Sequence, residues 1–392
     1  MKLNKYLLLL ISFSAFMACS KEIGEESKEP EVPKGPVALD PHIAGVSLTT
    51  RGGAAKATDI NTLGIYAVPV KTEGAPSSYH LYKLTNGNAS PNDADNTLWL
   101  ELYKVTIYSF HPAGTADVTQ VTLVGTDEAP VPTITIPASA ITAEQTGITK
   151  KDDNNYDFAK TENDYMYGVA YDKSKEDDND SNSNPYLTTQ PIANNGYASG
   201  DVLNPNECGP EIAIGLKHAF AQIRFILKKS SSYGGEAIVT NVTYKRNLQT
   251  LIGKPKDNSA DPAADTDSNT GADASNERLP ITMNLANGKL NNLAEAAETT
   301  YSYIFADQDV KATNDENTIK LTNYILPNTS TNAVITITVD GKEMKLNREN
   351  DTQFEAGNIY TYNIVINPTG LTLSGFTVSG WGDDQKQPDI TI

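Results

Sequence analysis

Few residues in this sequence have the types and spacing that chemistry needs. His42, His80, His111 and His218 are all the histidines. None has a second ligand two to four residues further along the chain, the spacing that aims two donors at one metal. No G-x-S-x-G, H-E-x-x-H, phosphate-binding glycine loop or dinucleotide fingerprint occurs. Carboxylates are plentiful, but acid–base work needs two at a fixed separation, and no spacing singles out a pair. Asp265, Asp267 and Asn269 start like a calcium loop. The glycine then falls one place late, and Asn276 stands where a bidentate Glu belongs. The reading is therefore no enzyme, no metal and no cofactor. What remains is chemistry done to the chain, at the thiol of Cys19 and at the peptide bond after Arg51.

The thiol is set up by what precedes it. A short basic start carrying Lys2 and Lys5 leads into an apolar run from Tyr6 to Met17. That run is too short to span a bilayer comfortably and has the form of a secretory signal. Phe16-Met17-Ala18-Cys19 resembles the lipobox of bacterial lipoproteins, with Phe16 where Leu is usual. Residues 1–18 are read as a lipoprotein signal peptide and Cys19 as the acylated first residue, carrying palmitate-type chains. Several such chains make a durable anchor, here to the outer membrane. Residues 19–51 are read as a tether and a removable first strand; Ser20–Pro41, rich in Glu, Lys and Pro, has no core of its own. Cys208 is the only other thiol and is read as a small buried filler.

The elements that must hold these sites are strands. Formal charge is −18, from 49 acids against 31 bases, which excludes a broad phosphate-neutralising surface and a nucleic-acid partner. Charged residues are only 20% and hydrophobic ones 39%, so most of the chain folds. Tyr outnumbers Phe 19 to 9, a composition suited to pleated, half-exposed surfaces. Short runs with period-two alternation recur: Leu63–Val68, Thr97–Phe110, Pro132–Pro137, Tyr165–Tyr171, Glu211–Leu216, Phe220–Leu227 and Ile238–Tyr244. They continue with Tyr301–Ala306, Ile319–Leu326, Ala333–Val339, Ile359–Ile366 and Leu371–Trp381. Asp340-Gly341 marks a two-residue hairpin. The one modest helical candidate is Leu290–Glu298. Lys173–Pro185 and Lys254–Asn276 are read as solvated loops. Trp99, Tyr103, Tyr108 and Trp381 fit a sandwich core, with a sugar-binding surface as the alternative.

Arg51 follows a short alternating strand, Gly45-Val46-Ser47-Leu48-Thr49-Thr50, and precedes Gly52-Gly53. Two glycines keep the backbone pliable enough for a protease to thread. This arrangement resembles the fimbrillins, the lipoprotein pilus subunits of Bacteroides-type bacteria, in which an Arg-specific protease cuts at such a place. Leu216–Phe225 (LKHAFAQIRF), Tyr108–Pro112 (YSFHP), Asp164–Gly168 (DYMYG) and Tyr324–Pro327 (YILP) also resemble family patterns. So does Gly357–Ile364 followed by Gly370–Leu373 and Gly380–Asp383.

The resemblance implies an all-β chain of two transthyretin-like β-sandwich domains, residues 52–210 and 211–392. It implies that cleavage between Arg51 and Gly52 releases the strand bearing Val46, Leu48 and Thr50. A neighbour's C-terminal segment, with Leu371, Leu373, Phe376, Val378 and Trp381 as candidate donor residues, would fill the opened groove. By period two, Phe376 and Val378 share one face and Leu371 and Leu373 the other, with Gly375 able to shift the register. Such contact is head-to-tail and builds a homo- or hetero-polymeric filament. The implied partners are other pilus subunits, an Arg-specific protease, the outer membrane before processing, and a host or bacterial surface ligand. The implied location is the outer membrane for the precursor and the extracellular fimbrium afterwards. The charged tail after Trp381 leaves stalk and tip positions both open. A surface-tethered glycan-binding lipoprotein is the alternative. Residues 1–51 carry six bases and six acids, so the acidity stays with the processed chain.

Overall fold

The computed structural model describes residues 38–43, 55–56, 60–69, 77–98, 105–114, 122–124, 131–150, 156–157, 163–171, 211–256, 277–306, 311–313, 319–330, 333–348 and 352–381. Its strands, numbered in chain order, form four principal sheets. The largest has eight strands in the order β2 (Ala55–Lys56), β1 (Ala38–Ile43), β12 (Glu211–His218), β11 (Met166–Tyr171), β6 (Val105–His111), β3 (Thr62–Pro69), β4 (Ser78–Thr85) and β5 (Asn88–Pro91). A four-stranded sheet has the order β16 (Leu290–Asn291), β15 (Thr282–Asn284), β8 (Val131–Thr135) and β7 (Thr122–Val124).

A six-stranded sheet runs β10 (Tyr156–Asp157), β9 (Glu144–Lys150), β17 (Ala297–Phe305), β14 (Val239–Leu248), β20 (Ala333–Val339) and β21 (Lys342–Arg348). The other four-stranded sheet runs β18 (Ile319–Ile325), β13 (Ala221–Lys229), β23 (Asn358–Asn367) and β24 (Gly370–Gly380). A two-stranded ribbon joins β19 (Thr329–Ser330) to β22 (Thr352–Gln353). The protein is all-β, as its alternating runs require.

Period two decides which face each strand buries. On β13, Ala221, Ile223, Phe225 and Leu227 are buried while Gln222, Arg224, Ile226 and Lys228 are half-exposed. Ala333, Ile335, Ile337 and Val339 do the same on β20. These faces enclose a core between the six-stranded sheet and its four-stranded partner, built around Phe225, Tyr244, Tyr303 and Tyr362. The eight-stranded sheet is buried on both faces. Leu63, Ile65, Ile107, Ile214 and Leu216 belong to one core. Tyr108, Phe110 and Phe220 meet Ile134, Met283 and Leu285 of the smaller sheet in the other.

Two sequence expectations change. Leu290–Glu298 is not helical: Leu290 and Asn291 form β16, Asn292 takes φ 63° and β17 begins at Ala297. A left-handed residue ends any helix there, and Glu295, Ala296, Ala297 and Glu298 are exposed with no apolar face to bury. The tether, read as coreless up to Pro41, already enters the fold at Ala38. Leu39 and Pro41, two apart, are buried while β1 pairs with β12. A single alternating pair in a Pro-rich stretch is too little signal to reveal a strand.

Connections cross between the halves of the chain. β9 lies in the first half but pairs in parallel with β17. β15, from the second half, pairs with β8 of the first. Between β12 and β13 only Ala219 and Phe220 intervene, and both are buried.

Candidate functional site

β1 is held by backbone pairing along its length and by the buried side chains of Leu39 and Pro41. It pairs in parallel with β12 from Ala38↔Glu211 to Ile43↔Leu216, and among the described residues its other side meets only β2, through His42↔Lys56 and Ile43↔Ala55. Arg51 lies between β1 and β2 in sequence. A cut there would separate β1 from everything that follows it. Arg51 and Gly52, the strand residues Val46, Leu48 and Thr50, the lipidation residue Cys19, and Trp99, Tyr103 and Cys208 all lie outside the described residues.

The other end of the chain carries the candidate donor residues. Among the described residues β24 pairs only with β23, in antiparallel register from Asn358↔Gly380 to Asn367↔Gly370. Asn363 lies opposite Gly375 and Ile364 opposite Leu373, so Ser374 is the extra residue of a β-bulge. The shift expected beside Gly375 therefore occurs, and it has a consequence that period two alone misses. Leu371, Leu373, Phe376 and Val378 face Ile366, Ile364, Tyr362 and Tyr360, which alternate along one face of β23. All four pack against the same core instead of two opposite faces. Arg348, at the end of β21, closes over this patch. Its guanidinium carbon is 3.9 Å from the Phe376 ring centroid and 5.4 Å from that of Tyr362, cation–π geometry.

Trp381 directly follows β24, at a junction between the sheets. Its ring stacks on His218 with centroids 4.1 Å apart and planes 8° from parallel. Tyr324 of β18 lies 5.2 Å away on the same indole. The His218 Nδ1–H donates to Asp164 Oδ2 at 2.7 Å, which fixes the imidazole plane under the indole. Two backbone bonds run through the same place: Trp381 N–H donates to Gly357 O at 2.8 Å, and Gly357 N–H donates to Phe220 O at 2.9 Å. Met166 of β11 sits between His218 and His111, paired in register with each. His111 Nδ1–H donates to the Thr62 carbonyl at 2.7 Å. Burial holds the His111 imidazole below its ordinary value, opposed by that carbonyl and by Asp164.

These histidines looked scattered in sequence because positions 111 and 218 are separated by 106 residues of chain. Strand pairing through β11 brings them to either side of Met166. Asp164-Tyr165-Met166 was legible as a strand entry, but nothing in the sequence tied Asp164 to a histidine 54 positions away. Among the described residues, no group of three or more His, Cys, Asp or Glu is placed to hold a metal. Tyr108 is a core residue, and Trp381 uses its ring inside the molecule.

β24 thus lies at the margin of its sheet and β1 next to the margin of its own. A sequence model of the fimbrillin-like family matches residues 50–381. The chain belongs to the fimbrillin-like family. Solved structures align along nearly its whole length. A candidate cell adhesion protein from Bacteroides ovatus shares 12% identity at a TM-score of 0.52, covering 89% of this chain and 98% of its own. The tip fimbrial protein Mfa3 from Porphyromonas gingivalis, with a C-terminal truncation, aligns at 8% identity and a TM-score of 0.39, over 89% of this chain and 100% of its own. No curated protein matches by sequence. At these identities the structures speak for the fold, and the family speaks for the role. This fimbrillin-like chain is a structural, pilus-type protein of the cell surface and associates with other pilus subunits.

Proposed function

We propose that this protein is a pilus building block, stalk or tip. It is exported as a lipoprotein through Cys19, cut after Arg51 by an Arg-specific protease, and polymerised by strand exchange in support of adhesion. The observation that carries the reading is β1. It lies upstream of Arg51 and pairs along its length with a single principal neighbour, β12. Losing it uncovers the backbone groups of Glu211–Leu216 and the places of buried Leu39 and Pro41. An open edge of this kind is a template for another strand. The released element is then β1 together with the stretch bearing Val46, Leu48 and Thr50.

The donor is drawn from residues 371–392 of a second subunit. Leu371, Leu373, Phe376 and Val378 already fill their own subunit's core. The reading therefore gives Leu371–Trp381 the task of anchoring the segment, and the residues after Trp381 the task of reaching the neighbour. Main-chain bonds supply the affinity and alternate side chains the register. Head-to-tail contacts of this kind propagate into a filament.

Arg51→Ala tests the reading. The variant is expected to stay on the membrane as the uncut lipoprotein and to yield no polymer, while wild-type material from cells starts at Gly52 by mass. Normal filaments from Arg51→Ala would sink it. A lipid still on Cys19, with no shortened form, would point to the tethered glycan-binding alternative.

A further inference from the structure

A subunit joined to its neighbours at β12 on one side and beyond Trp381 on the other must pass tension between those two places. The fold offers an unusually direct route. β12 reaches β13 through two buried residues, Ala219 and Phe220. β13 pairs in parallel with β23 from Gln222↔Ile359 to Lys229↔Ile366, and β23 pairs with β24 over its whole length. Pulling along these strands loads each ladder in shear, because its hydrogen bonds run across the strands and stretch together. Peeling would break them one at a time.

The ladders alone leave one weak place. Trp381 is where tension would leave β24, and Asn358↔Gly380 is the last backbone pair before it. A load applied there would begin to peel β24 from β23 at that end. The structure reinforces this point with contacts that belong to neither ladder. The indole of Trp381 lies flat on His218, the last residue of β12. Asp164 holds His218 at the ring edge, through Nδ1. The Phe220–Gly357–Trp381 pair of backbone bonds ties the β12–β13 link, the entry to β23 and the exit of β24 to one another. The entry strand and the exit residue therefore touch, and tension can cross the subunit without passing through either core.

We propose that the junction of His218, Asp164, Gly357 and Trp381 is the mechanical clamp of the subunit, a load-bearing site that couples the β12 edge to the exit of β24. The proposal rests on the strand-exchange reading for where the load enters and leaves. Its test does not need a filament.

The full chain, tethered by its two ends, is held at constant force in a single-molecule instrument, and the rate of leaving the folded state is recorded. Trp381→Ala removes a stacked ring and is expected to raise that rate by about tenfold, the upper end for an aromatic pair. Ile337→Val trims the C-terminal core away from the junction and supplies the control for ordinary destabilisation. Compared at equal loss of Tm, it is expected to change the rate under force by about threefold or less. Asp164→Asn keeps both rings and weakens the brace on His218, and it too is expected to speed unfolding under force. Equal acceleration by Trp381→Ala and Ile337→Val would overturn the clamp. So would an unchanged rate in both Trp381→Ala and Asp164→Asn. If Trp381→Ala does not fold, Asp164→Asn against Ile337→Val decides alone. Normal filaments from Arg51→Ala would refute strand exchange and leave this measurement standing, so the two failures are distinguishable.

Discussion

Arg246 shows how a single residue can contradict its own polarity. It sits on β14 two places after Tyr244, on the face that alternation turns inward, and only 1% of it is exposed. Nη1 donates to the Tyr244 hydroxyl at 2.6 Å and to that of Tyr362 at 3.2 Å. The guanidinium carbon lies 5.3 Å from the Phe354 centroid and 5.9 Å from that of Tyr244. Burial holds the Tyr244 phenol well above its usual range, against the pull of the arginine. Phenol oxygens and ring faces thus replace water around a buried charge, which would otherwise be very costly. Arg246→Ala should cost about 2–4 kcal/mol, because it opens a cavity and takes the donor from two buried hydroxyls. Arg246→Met, which refills the volume, should cost clearly less, since apolar replacements of buried charges are often near neutral. Urea unfolding of the two variants compares them directly. Equal losses would mean that the hydrogen bonds, not the packing, hold this part of the core.

Elements were far more legible than their partners. Each alternating run read from sequence contains or overlaps a described strand, and Asp340-Gly341 turns where expected, with φ of 48° and 76°. Asn86-Gly87, between β4 and β5, has the same geometry, with φ of 51° and 73°, and is a turn the sequence reading missed. Asp340 also does something no turn rule contains: its carboxylate accepts from Tyr233 Oη at 2.8 Å and from the Ile238 and Ala237 amides. The bulge at Ser374 marks where local reading stops. Alternation splits Leu371 and Leu373 from Phe376 and Val378, and one extra residue reunites them. Deleting Ser374 should restore strict alternation and force one pair outward, since a one-residue slip reverses every side chain beyond it. The expected result is a Tm lower by about 10 °C or more, as two apolar side chains leave the core. A circular-dichroism melt reads this, and an unchanged Tm would show that β24 tolerates either phase. At the site, the sequence drew attention to Cys19 and Arg51 because their expected chemistry is local. It hid the His218–Asp164–Trp381 group because that group exists only through pairing.

At the scale of the molecule, the exchange of strands between halves makes a prediction that neither half makes alone. Divided at residue 210, the chain gives two segments, each of which would keep strands whose partners lie in the other. β9 would lose β17, its parallel neighbour, and β8 would lose β15. Ile148 of β9 is fully buried in the C-terminal core, and Met283 and Leu285 are buried against the eight-stranded sheet. Each half would therefore leave apolar surface and unpaired edges exposed, the conditions under which small β units fail to stand alone. Residues 52–210 and 211–392, expressed separately, are expected to be insoluble or to melt without a sharp transition, and to recover native-like spectra only when made together. The intact chain is expected to unfold in one calorimetric transition whose measured and van't Hoff enthalpies agree, since neither core survives loss of the strand borrowed from the other half. A sharp melt from residues 211–392 alone would mean that β17 does not need β9 and that the crossing is ornament on an independent domain. The distinction matters for a filament, because separable domains would stretch one after the other under load. Halves that share strands must yield together or hold together.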